Sequence, residues 1–101
     1  MRLTTLSMLP LAMLLAATPA ASRDLDQDEA LQLRREGAIL SLESILQRVS
    51  ESYPDARLLE AELEEDDGVY TYDIELITVD GVARELEINA RDGRVLQDEK
   101  D

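Results

Sequence analysis

The chain contains no cysteine, histidine, tryptophan or phenylalanine, and its one lysine is Lys100. Without cysteine there is no disulfide, no thiolate nucleophile and no thiolate metal site. The missing histidines remove the commonest general base and the commonest zinc ligand. With no lysine ahead of the last two residues, Ser-Lys and Schiff-base chemistry have no foothold either. Basic residues as a class are scarce, 10 against 23 acidic, for a net charge of −13. That balance repels nucleic acid and anionic lipid surfaces and excludes both as partners. Methionine occurs only at Met1, Met8 and Met13, and the aromatics are Tyr53, Tyr70 and Tyr72. Any core must therefore be built mostly from Leu, Ile, Val and Ala.

The first residues are expected to lie outside the fold. Met1-Arg2 gives a positive start, Leu6–Ala17 is an apolar run broken only by Ser7 and Pro10, and Thr18–Ser22 supplies small residues for cleavage. This is the pattern of a secretory signal peptide over residues 1–22. The run is shorter than the roughly 20 residues of a membrane span, so no stable membrane insertion is expected. Export into a bacterial periplasm is the expected destination. Taking 22 residues from 101 leaves 79, enough for one small domain, in which 9 basic against 23 acidic residues give −14. With no disulfide available to an exported chain, packing alone must hold it.

Arg23–Gly37 is expected to form a first helix, with Asp26 as N-cap, Glu29 completing a capping box and Gly37 as the stop. Leu25 and Ala30 occupy staple positions. Leu42–Tyr53 is a second, more strongly amphipathic helix capped by Ser41 and ended by Pro54. Leu42, Ile45, Leu46, Val49 and Tyr53 form its apolar stripe, and Glu43, Gln47, Arg48 and Glu51 face water. Ile39 and Leu40, ahead of the cap, are expected to tuck into the core.

From Asp55 onward the period changes to two. Leu59, Ala61 and Leu63 share one face, with Leu58, Glu60, Glu62 and Glu64 on the other. Asp66-Asp67-Gly68 turns the chain into Val69–Gly93, where Tyr70, Tyr72, Ile74 and Leu76 alternate with polar residues, as do Val82, Leu86, Ile88 and Ala90. The Asp80-Gly81 pair between these runs predicts a type I′ hairpin. Arg94–Gln97 allows a short fourth strand, and Gln97–Asp101 reads as a frayed charged tail. The expected fold is α+β, two N-terminal helices followed by a three- to four-stranded antiparallel sheet packed on the second helix.

The chemistry-bearing residues are carboxylates. Asp24, Asp26 and Asp28 mimic the start of a calcium loop, but Glu29 occupies the position that needs Gly and Arg35 the one that needs bidentate Glu, so helix capping explains them better. Glu64–Asp67 at a hairpin tip, with Asp73, Glu75, Glu85 and Glu87 on the sheet, form an acidic face suited to weak Ca²⁺ or Mg²⁺ screening or to a basic partner. No cofactor is implied. Leu58, Ile77 and Ala83 would be apolar anchors within that charged surface. The edge strand Asp55–Glu65 offers a further route, strand addition. The candidate partner-binding residues are thus Asp66, Asp67, Asp73, Glu75, Ile77, Glu85 and Glu87.

From about Leu40 to Leu96 the chain resembles the PepSY domain. The shared pattern is a Leu/Ile-rich helix, a strand after a proline, Tyr72-x-Ile74, Asp80-Gly81, Glu85-Leu86-Glu87-Ile88-Asn89-Ala90 and Gly93-x-Val95. Asn89 stands where the family commonly has Asp, Asp92 where it has Thr, and Pro54-Asp55 where it has Pro-Gly. The resemblance divides the chain into the leader, an N-terminal helix over 23–39 and a PepSY-like domain over 40–101. It implies regulation without catalysis, because such domains occur in propeptides of secreted metallopeptidases and in sensor or membrane proteins. The expected function is a non-catalytic binding module that modulates a periplasmic peptidase or sensor. The alternative is an acidic accessory protein that responds to divalent cations.

Overall fold

The computed structural model describes residues 23–101; the expected leader lies outside them. Their order is β1 (Arg23–Asp24), α1 (Gln27–Arg35), α2 (Leu42–Ser52), β2 (Arg57–Asp66), β3 (Val69–Ile77), β4 (Ala83–Asn89) and β5 (Val95–Lys100). All neighbouring strands are antiparallel, and the sheet order follows the chain order, β1-β2-β3-β4-β5. The fold is α+β as expected, with five strands instead of three or four.

Both helices begin at the expected caps. Asp26 accepts from the Glu29 amide at 2.9 Å, and the Glu29 carboxylate accepts from the Asp26 amide at 3.4 Å, the reciprocal pair of a capping box. Ser41 accepts from the Ser44 amide at 3.1 Å. The first helix is shorter than expected, however. Arg23 and Asp24 are extended and pair with Glu65 and Glu64. Arg23 adds ion pairs to Glu65 at 2.8 Å and to Glu29 at 3.1 Å. Periodicity had no means of finding a strand of two exposed residues.

The core lies between α2 and one face of the sheet. Ile45 and Val49 from α2 meet Leu63, Tyr72, Ile74, Leu76, Leu86 and Ile88, with Ile39 and Ala90 sealing one end. Ile39 is buried as expected. Leu40 donates its amide to the Ala90 carbonyl at 2.7 Å, while its own carbonyl accepts from the buried Tyr72 hydroxyl at 2.8 Å. These bonds hold the α2 entry onto the end of the sheet and satisfy a phenol that would be costly to bury unpaired.

The turns depart from expectation in an instructive way. The type I′ geometry belongs to the β2–β3 hairpin, where Asp67 and Gly68 both have positive φ (51° and 78°) between the paired residues Asp66 and Val69. At Asp80-Gly81 only Gly81 is left-handed. Gly81 donates to the Thr78 carbonyl at 2.9 Å and Thr78 to the Val82 carbonyl at 2.8 Å, so this is a three-residue loop. The Thr78 hydroxyl reinforces it by donating to Asp80 and accepting from the Val82 amide. In the β4–β5 turn, the Asn89 side chain accepts from the amides of Arg91 and Asp92. Arg48 reaches over from α2 to donate to the Asp92 carbonyl at 3.0 Å. A Cβ on Gly93 would stand 2.4 Å from the Arg48 guanidinium and push that flexible side chain off the Asp92 carbonyl, while the φ of 78° is what calls for glycine.

The charged C-terminal stretch is not a frayed tail. Val95–Lys100 pairs with β4, and the Asp101 amide donates to the Ala83 carbonyl at 2.9 Å. On the helix side, Asp98 accepts from Arg84 at 2.8 Å and from the Tyr53 hydroxyl. Burial alone would raise the Asp98 carboxyl, but those two hydrogen bonds outweigh it and hold it below the usual range.

Candidate functional site: an acidic sheet face

The four long strands alternate, so the face turned away from α2 collects the polar residues of each. Strand register sorts them into rows. Glu60 lies opposite Glu75, Glu75 opposite Glu85 and Glu85 opposite Glu99. The adjacent row is Glu62, Asp73, Glu87 and Gln97. A third begins with Asp24 and Glu64 and continues through Thr71 to Asn89. Directly opposed residues have Cβ atoms about 4.5–5.5 Å apart, and like charges so placed destabilise a sheet. The face thus carries carboxylates in direct apposition across as many as four strands.

Little on the face offsets this charge. The ion pairs among the described residues, Arg23 with Glu29 and Glu65 and Arg84 with Asp98, involve residues that face the helices. Arg57 is on the acidic side, but at its end, in register with Ile77. Titration behaviour follows from this crowding. Glu64 is pushed up to about 7 by partial burial, a hydrogen bond with Asp73, and the charges of Asp73, Asp24 and Glu62. Glu62 is raised by Asp24 first and then by Glu60. Partial burial, followed by neighbouring carboxylates, raises Glu75 and Glu87. Two trios bring their carboxylate oxygens within 4.8 Å of one another, Asp24/Glu62/Glu64 and Glu75/Glu85/Asp101.

Of the expected surface residues, Asp73, Glu75, Glu85 and Glu87 are immediate neighbours at the centre of this face. Asp66 borders it at the hairpin end and Asp67 forms the turn. Ile77 lies at the opposite end, beside Ala83. Leu58 is not an anchor on this face. A bulge between Leu58 and Glu60 shifts the register, so that Leu58 pairs with Leu76 on the helix side while Leu59 is displaced outward. One extra residue reverses which side chain faces the core. Strict alternation through Leu58-Leu59 therefore assigned the pair the wrong way round.

Asp24, Glu99 and Asp101 also belong to the acidic surface and were not anticipated. Each lies in a segment without apolar alternation, and backbone pairing alone brings it there. Chemically, the face offers carboxylates and little else. It can accept hydrogen bonds, attract cations and oppose basic surfaces.

A family model described as "Peptidase propeptide and YPEB domain", PepSY, matches residues 39–99. The chain belongs to the PepSY family. The matched span takes in α2, β2, β3, β4 and nearly all of β5, and hence most of the acidic face. Among curated proteins, the chain is similar to the uncharacterized protein YkoJ of Bacillus subtilis (strain 168), 48% identical over 42 residues. That alignment covers 42% of this chain and 25% of YkoJ, so the chain spans only a small part of that protein. No solved structure matches. Among the described residues, no helix is long and apolar enough to cross a membrane.

Proposed function

We propose that this PepSY chain is a non-catalytic binding module that docks its acidic sheet face onto a basic surface of another exported protein. A peptidase is the partner class that the family description favours, and the exported part of a sensor is the other class that the resemblance implies. The observation that carries the reading is the row Glu60, Glu75, Glu85 and Glu99, in register across four strands. Such an array costs stability in the free protein. A basic partner would relieve the repulsion and gain the interaction, and its approach would be electrostatically steered.

The test is capture from a periplasmic extract with the wild-type chain and with E75K/E85K/E87K, the captured proteins being identified by mass spectrometry. A peptidase or sensor should be retained by the wild type, released by moderate salt and lost with the variant. Retention unaffected by the triple change would overturn the surface assignment. The second reading, a divalent-cation-responsive accessory protein, draws on the two carboxylate trios. Calorimetry with Ca²⁺ and Mg²⁺ at physiological salt separates the two. Absence of both heat and a melting shift at millimolar ion would dismiss it.

A further inference from the structure

The two long edges of the sheet are not alike. β1 covers β2 only at Glu64 and Glu65, after which Leu25 donates to the Leu63 carbonyl at 2.9 Å and the chain leaves for the α1 cap at Asp26. Leu63 thus turns its backbone outward, and by alternation so does Ala61 two residues earlier. From Glu62 back to Arg57, β2 has no partner on that side among the described residues. This stretch has different chemistry on its two flanks. On the helix side an apolar cavity of about 220 Å³ opens between α2 and β2, lined by Leu46, Ser50, Ala56 and Leu58 among others. On the opposite side are Glu60 and Glu62, in the acidic rows. At the other edge, the cleft between α2 and β5 mixes Val49 and Val95 with Arg48, Glu51 and Asp98, the last already held by Arg84 and Tyr53, so that flank is charged where the β2 flank is apolar.

We infer that the uncovered edge of β2, Arg57–Glu62, receives an extended segment of a partner protein by strand addition, one whose residues alternate apolar with basic. The inference rests on the reading of the chain as a binding module and names the kind of segment it takes. Backbone pairing with outward-facing groups such as those of Ala61 supplies affinity, and the two flanks supply specificity. Successive same-side residues of a strand lie about 6.6–6.8 Å apart. A basic residue at every second position therefore matches the spacing of Glu60 and Glu62, while the residues between them point toward Leu58 and the α2 groove. A second copy of this chain is the wrong occupant. Pairing two β2 edges brings Glu60 and Glu62 of one copy against those of the other, the charge arrangement that guards an edge against self-association.

The probe is a synthetic peptide of about eight residues alternating Lys and Val, long enough to span the free edge. Its controls are the same composition with Lys and Val in separate blocks, an alternating Glu/Val peptide, and two N-methylated versions blocking one or the other backbone edge of the Lys/Val strand. Binding is followed on ¹⁵N-labelled chain by amide shifts and exchange protection. The alternating Lys/Val peptide should shift Leu59, Glu60 and Ala61 and slow exchange at Ala61. Separate blocks or Glu in place of Lys should weaken it about tenfold or more, and so should one N-methyl pattern but not the other.

Glu75 lies directly opposite Glu60, so E75K/E85K tests the charge of the face, and the contrast between the two N-methylated peptides decides whether the edge pairs. No binding at millimolar peptide, equal binding of the blocked sequence, or equal binding of both N-methylated peptides overturns strand addition. Loss of binding with E75K/E85K, together with indifference to N-methylation, would show charge docking on the face. That outcome removes this inference and leaves the proposed function standing.

Discussion

The two faces of this sheet are built from the same strands yet obey opposite rules. On the helix side Ile74, Leu76, Leu86 and Ile88 are almost wholly buried and carry no charge. Their neighbours one residue along, Asp73, Glu75, Glu85 and Glu87, stand in register with like charges. One face gains free energy from every contact, and the other gives some of it back. A small domain without a disulfide tolerates such a surface only because the opposite face is packed well enough to carry it. The contrast is why the acidic side is the candidate for function: its arrangement does nothing for stability.

The sharpest test of the contrast is a pair of adjacent substitutions. Ile74→Ala removes a side chain with 0% exposure from the centre of the core and should cost about 3 kcal/mol in urea unfolding. For a domain this small that is a large share of the total. Glu75→Gln, one residue away on the other face, should be neutral or slightly stabilising. A comparable loss from both would mean that the acidic rows are structural after all.

Next in size is Tyr72→Phe, which probes the polar group on the packed face. It leaves the Leu40 carbonyl without the phenol hydrogen bond and should cost about 1 kcal/mol. Ala90–Leu40 pairing should persist, so amide exchange at Leu40 would change little.

The acidic face is probed by pH. Glu64 ordinarily titrates at 4.5 but in the folded sheet at about 7. Between those values the folded chain holds the extra proton, so stability is greatest on the acid side and falls as pH rises from 4.5 through 7. Glu64→Gln should flatten that slope and stabilise the chain at pH 8 by about 1 kcal/mol, a value discounted for solvent screening, read as a rise of about 5 °C in Tm. Asp98 and Asp80 are held below their ordinary 3.8, so their stabilisation is lost only at lower pH, outside this window. A melting temperature of the Gln variant that still falls steeply between pH 5 and 7 would show that Glu64 is not the main source.

The smallest effect is expected off both faces. Asp55 has a φ of 63°, a left-handed conformation that glycine adopts without cost. Asp55→Gly should relieve that strain, and after the greater freedom it gives the unfolded chain the gain should be about 0.5 kcal/mol.

Much of this architecture was legible in the chain. Asp26 with Glu29, Ser41 and Pro54 mark helix ends through interactions a few residues long, and those signals correspond to the observed caps. The alternation in Val69–Ile77 and Ala83–Asn89 separated core from acidic face residue by residue. Where reading by pattern failed, the pattern carried no information. β5 is exposed along its whole length, so nothing in its hydrophobicity distinguishes a strand from a loose tail. Asp24 reaches the acidic face through a two-residue strand whose partner is some forty positions away. Leu58 and Leu59 are both apolar, and only the bulge decides which one meets α2.

By itself, then, the amino-acid order determined the two helices, the three central strands, the identity of the buried face and an overall acidity that disfavours polyanionic partners. Those properties depend on local geometry and composition. Tertiary structure alone decided which carboxylates face one another, how far the acidic rows extend, and that the outer edge of β2 from Arg57 to Glu62 is left unpaired among the described residues. Strand register and sheet edges arise from backbone hydrogen bonds between distant segments, and those bonds are nearly indifferent to the side chains that the sequence displays.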